Sequence, residues 1–194
     1  MSTASHSSEH NLLPLIVEPE QLHAHLQAPQ LLIIDVPVNG DSYRQGHVPG
    51  AVYLDFRYLM RGEGPVPNDV PSVAFLSRLF SALGLTRDTH VVAYDDEGGG
   101  WAARLLWTLE LIGHTRYSYL NGGIHAWRDA GLEESAELTA PTPSDYHAEI
   151  LNPNVAITCD EIKEKLGDKR FAIWDARSKA EDDGERGNNK HLGH

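Results

Sequence analysis

The loop Asp95–Gly100 carries the residues of this chain that are best placed to do chemistry. It reads Asp-Asp-Glu-Gly-Gly-Gly, and it joins an apolar run, His90–Tyr94, to a helical pattern that opens at Trp101 and ends at Gly113. A loop between the carboxyl end of a strand and the amino end of a helix can direct backbone N–H groups at an anion, and glycines give it the freedom to do so. Three acids oppose that anion, however, and the Lys-Ser/Thr pair of a phosphate-binding loop is missing. We therefore do not expect a nucleotide here.

Cys159 is the only cysteine of the chain. A thiol becomes a good nucleophile when positive surroundings lower its pKa. Thr158 and Cys159 lie at the start of a predicted helix, but Asp160 and Glu161 follow directly, and no glycine loop or arginine cluster surrounds the thiol in the sequence. The sequence therefore predicts a structural or incidental cysteine.

The elements that position the Asp95–Gly100 loop alternate between strands and helices. The predicted strands are Leu31–Val36, Val52–Leu54, His90–Tyr94 and Tyr117–Leu120, and the predicted helices are Pro19–Gln27, Asp41–Gln45, Ser72–Gly84, Trp101–Gly113 and Ile124–Ala130. Strands that alternate with helices predict an α/β fold in which helices flank a central parallel sheet on both faces.

Composition limits the classes of function. The 194 residues are 41% hydrophobic, which suits a packed core, and 28 Asp and Glu against 16 Lys and Arg give a formal charge of −12, which argues against nucleic acid and anionic membranes as partners. No apolar run reaches the length of a membrane-spanning helix, and the first residues do not resemble a secretory signal. A single cysteine excludes an internal disulfide framework and favours a reducing, cytoplasmic setting.

The chain divides into four predicted segments. Residues 1–11 are polar and are expected to be a disordered tail, residues 12–135 a first domain, residues 136–154 a proline-containing linker, and residues 155–194 the beginning of a second domain that is incomplete. Within the first domain, residues 61–71 are expected to form an irregular loop rich in glycine and proline.

The second predicted domain begins as a repeat of the first. Val17–Leu31 matches Ile157–Phe171 when the numbering is shifted by 140, which is 157 minus 17. The matched positions are Glu20 with Asp160, Leu22 with Ile162, Leu26 with Leu166, Ile33 with Ile173 and Asp35 with Asp175. A period this long indicates a duplicated domain and not a solenoid. We expect Asp35 and Asp175 to fix the loops after their strands by accepting backbone N–H bonds, and His47 and His194 to cap Gly-His turns.

Four motifs in fixed order resemble those of the rhodanese family. They are Ile34–Val36, which reads Ile-Asp-Val; Gly46–Ala51, which reads Gly-His-Val-Pro-Gly-Ala; Val91–Asp95; and Leu120–Trp127, which holds Asn-Gly-Gly and ends in Ala-Trp. The duplication is similar to that of tandem-domain thiosulfate sulfurtransferases. The resemblance implies a cysteine thiolate that takes the outer sulfur of thiosulfate as a persulfide and passes it to cyanide or another thiophile. It implies no metal and no organic cofactor.

The resemblance also implies roles for particular residues. The first copy of tandem rhodaneses typically lacks the cysteine, and Asp96 is expected to occupy its position here. Arg177, in the sequence Asp-Ala-Arg at the carboxyl end of a strand predicted in the second copy, is similar in placement to an arginine that binds the substrate anion. The alternative is an arginine that pairs with Asp175 or with an acid between the domains. A catalytic loop in the second copy would lie as far past Asp175 as Asp95 lies past Asp35.

Two functions stay open at this stage. That second loop is absent from the sequence, so we expect the 194-residue chain alone to be inactive, and a missing C-terminal part is one candidate partner. By family the chain is predicted to be a sulfurtransferase. The alternative is a non-catalytic rhodanese-homology module that binds or regulates another protein.

Overall fold

The computed structural model describes residues 11–60 and 68–183. The predicted tail therefore falls almost wholly outside the described residues, as do most of the predicted irregular loop and the second Gly-His turn at His194. The chain separates into two compact units, one that extends to Ala156 and one that begins at Ile157.

The first unit contains five strands and five α-helices among its described residues. The strands are β1 (Ile16–Val17), β2 (Leu31–Asp35), β3 (Val52–Tyr53), β4 (His90–Tyr94) and β5 (Tyr117–Leu120), and the helices are α1 (Pro19–His23), α2 (Gly40–Gln45), α3 (Val73–Ala82), α4 (Gly100–Leu111) and α5 (Gly123–Asp129). Short 3₁₀ turns cover Phe56–Leu59 and Pro153–Val155. All strands pair in parallel in the order β1-β5-β4-β2-β3.

Alternate residues of β4 point to opposite faces of the sheet, and each face has its own core. Val91 and Ala93 pack in a cluster with residues of α3 and α4, whereas Val92 and Tyr94 pack in a second cluster with Leu22 of α1 and Trp127 of α5. Every residue of β4 is buried, as expected for a central parallel strand covered on both sides. The predicted α/β fold with a central parallel sheet flanked by helices is confirmed.

His90, at the start of β4, is a buried neutral group. Its Nε2 lies 2.8 Å from the Ser118 hydroxyl, and Nδ1 has no partner among the described residues. Burial lowers the pKa of His90 from 6.5 to about 4, and the nearby His114 adds to this. Because the charged form is disfavoured only in the folded state, His90 lowers the stability of the fold as the pH falls from about 6.5 to about 4.

The segment 136–156 contains no helix or strand before Pro153, but it is attached to the first unit. Ala148 is buried and its N–H donates to the Ser77 hydroxyl at 3.0 Å, the N–H of Asn152 donates to a carbonyl of α4 at 3.1 Å, and the indole N–H of Trp107 donates to the Val155 carbonyl at 2.9 Å. These contacts explain why the boundary between the two compact units falls at residue 156, at the end of the predicted linker.

The second unit contains α6 (Cys159–Lys165) and α7 (Lys179–Asp182) within its described part. Thr158 caps α6, and Glu161 completes a capping box. Residues 171–175, which the repeat predicts to be a strand, have no strand partner among the described residues and adopt no regular structure. The side chains of Ile173 and Trp174 are 60% and 91% exposed.

Candidate active-site loop

The carboxylate of Asp95 lies inside a ring of backbone N–H groups. Its Oδ1 accepts from the N–H groups of Glu97 at 3.0 Å and Gly99 at 2.7 Å, and its Oδ2 accepts from those of Trp101 at 3.0 Å and Ala102 at 2.9 Å. The residue is 1% exposed. Four donors, two of them in the first turn of α4, thus form an anion cradle, and the chain's own side chain fills it.

Two glycines allow the loop to close around Asp95. Gly99 has φ of 98°, and a Cβ there would lie 2.6 Å from the Tyr119 hydroxyl. Gly123 has φ of 58° and lies against the backbone of Asp95. A Cβ on Gly123 would lie 2.3 Å from the Asp95 carbonyl oxygen. The Asn-Gly-Gly motif at the start of α5 therefore lets α5 approach the loop.

Asp96 does not enter the cradle. Its Oδ1 accepts the N–H of Val38 at 2.8 Å, and its carbonyl lies 3.2 Å from Nε2 of His125. Asp96 thus ties the loop to the segment after β2 and lies at the rim. Asp96, which the sequence predicts at the position of the catalytic cysteine, thus lies outside the ring of N–H donors, and the neighbouring Asp95 lies inside it.

A small polar cavity of about 140 Å³ opens beside the loop at the carboxyl edge of the sheet. Asp35, Asp96, Gln45, His125 and Arg128 are among the residues that line it. Arg128 is not free in this cavity, because its guanidinium pairs with Glu134 at 2.8 Å. The cavity thus offers more negative than positive charge, which does not suit a dianionic sulfur donor.

Asp35, at the end of β2, is a buried carboxyl with a raised pKa. Burial raises the pKa from 3.8 to about 7, the Tyr94 hydroxyl opposes this by hydrogen bonding, and Asp96 and Asp95 raise it further. The Tyr94 hydroxyl in turn accepts the N–H of Val48 at 3.0 Å. We expected Asp35 to accept backbone N–H bonds; its side-chain partner is instead Tyr94, which lies opposite Asp35 in the β2–β4 register.

His47 has a structural position. It is fully buried, its ring stacks on that of Tyr43 at 3.8 Å, and its nitrogens lie 2.7 Å from the Tyr43 carbonyl and 3.0 Å from that of Glu137. It therefore fastens the Gly-His turn to α2 and to the chain that follows α5.

Arg177 and Cys159 belong to the second compact unit. The Arg177 guanidinium pairs with Asp175 at 2.6 Å and with Asp182 at 2.8 Å, and the hydrogen bonds from Arg177 lower the pKa of Asp175 to about 2. The Asp175 carboxylate also accepts the backbone N–H of Arg177 at 2.9 Å, as expected for a residue that fixes its loop. Cys159 is the first residue of α6 and is exposed.

Sequence reasoning placed Asp95 in the candidate loop but missed its position among the N–H donors, and it missed the Asp35–Tyr94 pair. Asp95 and this pair lie at the carboxyl ends of adjacent parallel strands, which meet at one edge of the sheet, and this is the signal that could have identified them.

Among residues 11–60 and 68–183, no three His, Cys, Asp or Glu side chains form a group that could hold a metal ion. The helices described in these ranges are too short or too polar to cross a bilayer.

Known proteins resemble this chain in both sequence and fold. Residues 18–130 match the rhodanese-like domain family. The chain is 41% identical over 174 residues to a thiosulfate sulfurtransferase of Azotobacter vinelandii, covering 90% of this chain and 64% of that protein, and 40% identical to one of Pseudomonas aeruginosa, covering 87% and 62%. It thus spans less than two thirds of either relative. The crystal structure of SseA from Escherichia coli, a 3-mercaptopyruvate sulfotransferase, matches with a TM-score of 0.82 and 25% identity, over 93% of this chain and 71% of that one.

Proposed function

The chain belongs to the rhodanese family, and from that premise we propose that it serves the transfer of sulfane sulfur from thiosulfate to cyanide or another thiophile, with its first unit as a non-catalytic domain. In this reaction a cysteine thiolate attacks the outer sulfur of thiosulfate, and sulfite leaves with the electron pair of the sulfur–sulfur bond. The thiophile then attacks the outer sulfur of the persulfide and restores the thiolate. The persulfide-forming cysteine is supplied by a region other than residues 11–156.

The similarity to thiosulfate sulfurtransferases supports sulfur transfer, and the occupied cradle around Asp95 is the observation that carries the non-catalytic role of the first unit. A thiolate and a bound dianion both need N–H groups and a helix N-terminus to stabilise their charge. In this loop a carboxylate already accepts those hydrogen bonds, so the donors are satisfied. A carboxylate is also a poor nucleophile toward sulfur, and its charge repels thiosulfate. We infer that Asp95, and not Asp96, holds the position that a cysteine has in an active copy.

We further propose that the second unit begins a second rhodanese domain. Support comes from α1 and α6, whose first residues, Pro19 and Cys159, are separated by the same offset as the sequence repeat, and which both begin with a capping box. Support also comes from Ile173 and Trp174, which are exposed although they match the buried Ile33 and Ile34 of β2. Apolar residues at strand positions need neighbouring strands and helices to cover them, and the rest of such a domain would supply these.

In this proposal Arg177 binds the anionic sulfur donor. A guanidinium presents a planar fork of donors that suits a sulfonate-like group. Its pairing with Asp175 orients the side chain, since the carboxylate accepts both from the guanidinium and from the backbone N–H. The contact with Asp182 is the one that a substrate anion would replace. A persulfide enzyme also needs its thiols reduced, which suits the cytoplasm.

The proposed function predicts sulfurtransferase activity for the gene product as it occurs in its cell. The experiment measures intact mass and thiosulfate:cyanide sulfurtransferase activity on one purified sample. We expect activity in a protein heavier than 21.5 kDa, and we expect Arg177→Gln to lower kcat/KM for thiosulfate by about tenfold or more, the size of one lost charged hydrogen bond. Arg170→Gln, which removes another exposed arginine of the second unit, is the matched control.

A second candidate function is a non-catalytic module, and the filled cradle also favours it. An inactive gene product of 21.5 kDa would contradict sulfur transfer and leave this alternative. Activity in a product of that mass would instead assign the persulfide chemistry to Cys159, the only cysteine of the 194 residues, and contradict our expectation of a heavier protein.

A further inference from the structure

A cavity of about 150 Å³ lies at the amino-terminal edge of the sheet, at the opposite end of β4 from the Asp95 loop. Its walls come from the loops that lead into β4 and β5 and from residues 146–151, which pack beside them. A water molecule occupies about 30 Å³ in the liquid, so the cavity has room for a small polyatomic ion.

Two arginines line this cavity from the segments that lead into two adjacent strands. Arg87 lies in the loop before β4, Arg116 directly precedes β5, and each follows a threonine. The two strands are adjacent and parallel, with Val91 opposite Tyr117, and the N–H of Val91 donates to the Arg116 carbonyl at 2.9 Å. The sheet therefore brings the two guanidinium groups to one edge in a chain whose formal charge is −12.

The positive charge of the cavity is only weakly neutralised. Within the described ranges Arg87 has no hydrogen bond or ion pair. Arg116 donates to the Asp88 carbonyl at 3.2 Å and lies 3.8 Å from the Asp88 carboxylate, which is 91% exposed. An ion pair between exposed side chains is weak, so Asp88 neutralises little of the Arg116 charge. Glu149 is the one acid among the described residues that line the cavity, so the two guanidinium groups leave an excess of positive charge.

His114 adds a polar atom that has no partner. The residue lines the cavity, it is 5% exposed, and its Nε2 has no hydrogen bond within the part of the chain that the structure describes. Burial lowers the pKa of His114, and the charge of Arg116 acts in the same direction, against backbone hydrogen bonds with Arg116 and Thr89. A buried polar atom without a partner is costly in free energy and calls for an explanation.

We propose that this cavity binds a tetrahedral oxyanion, of the class of sulfate, thiosulfate and phosphate. Arg87 and Arg116 supply the charged hydrogen bonds, and His114 forms part of the cavity wall. The site is separate from the Asp95 loop, and it would exist whether or not the chain takes part in sulfur transfer.

Calorimetric titration of the 194-residue chain with sodium sulfate tests the site, at an ionic strength held constant with sodium chloride. We expect saturable binding of one sulfate per chain. Arg87→Gln and Arg116→Gln should each weaken it by about tenfold or more, since each removes a charged hydrogen bond. Arg44→Gln, which removes an arginine that is 62% exposed and lies outside this cavity, should bind as the parent does.

Parallel titrations with thiosulfate and phosphate distinguish the source of the anion. Tighter binding of thiosulfate assigns the site to sulfur donors, and equal binding assigns it to oxyanions in general; both support the proposal. Absence of saturable binding for all three anions would overturn it, as would Arg87→Gln and Arg116→Gln proteins that bind as the parent does. Arg87→Gln keeps the test decisive if Arg116→Gln does not fold, because Arg87 is exposed and holds no other group in place.

Discussion

Cysteine placed at position 95 is expected to be a reactive thiolate at neutral pH, whereas cysteine at position 96 is expected to be an ordinary thiol. The four N–H groups that now bind the Asp95 carboxylate would stabilise the introduced thiolate, so its pKa should fall well below the usual ~8.5. At position 96 the side chain lies at the rim and meets only the N–H of Val38. The exchanges are Asp95→Cys and Asp96→Cys, each with Cys159→Ser.

The measurement is the ultraviolet absorbance of the thiolate against pH, with the mass of each protein after incubation with thiosulfate. We expect a lower thiol pKa in the Asp95→Cys protein, and a persulfide, an addition of one sulfur atom, on this protein alone, formed at a rate that the carboxylates of Asp35 and Asp96 in the neighbouring cavity keep low. Equal thiol pKa values in the two folded proteins would show that the cradle has no effect. A lower thiol pKa at position 96 than at position 95 would contradict the assignment of Asp95 and support Asp96 as the residue at the cysteine position.

Asp35→Asn is expected to stabilise the fold above pH 7 by up to about 4 kcal/mol, which is the free energy of a pKa shift of about three units. The pKa of Asp35 is raised from 3.8 to about 7 in the folded chain, so the carboxyl favours folding below pH 3.8 and loses that contribution as the pH rises to about 7. Asparagine has no charge to bury, and its carbonyl can still accept from the Tyr94 hydroxyl.

Urea unfolding of the parent and of Asp35→Asn across this pH range gives the difference in stability at each pH. The difference is the informative quantity, because His90 acts in the opposite sense over nearly the same range and masks Asp35 in the parent's own profile. Asp41→Asn, in which the replaced carboxylate is 81% exposed, should show almost no pH-dependent difference. If the difference in unfolding free energy between the parent and Asp35→Asn does not change with pH, the pKa of the buried carboxyl does not differ between the folded and unfolded chain.

The strands and helices could be predicted from the sequence wherever turn residues or caps marked both ends of an apolar run. β4 spans His90–Tyr94 as predicted, because the run is bounded by turn residues and is buried throughout. The Ser72 cap of α3 was visible for the same reason, since its hydroxyl accepts the N–H of Phe75. α1 is shorter than predicted: after His23 the chain continues through single turns, in which the N–H of Ala28 donates to the His25 carbonyl. The helical spacing of apolar residues cannot distinguish such single turns from a continuous helix.

The site followed from the sequence only in part. Composition indicated an acidic loop unsuited to thiosulfate, but it could not show which of two adjacent aspartates enters the cradle. Consecutive side chains at the end of a strand point in opposite directions, so a difference of one residue separates Asp95 among the N–H donors from Asp96 at the rim. The Asp35–Tyr94 contact depends on the pairing of β2 with β4, which no local pattern reveals.

Thiocyanate formation by the purified 194-residue chain, supplied with thiosulfate and cyanide, tests most directly the central claim that the loop of the first unit is silent. We predict no thiocyanate above the rate without protein, for the chain and for its Cys159→Ser variant alike, because Asp95 occupies the cradle and cannot form a persulfide. Turnover that persists in the Cys159→Ser variant would contradict the claim, since no cysteine would remain to carry the sulfur.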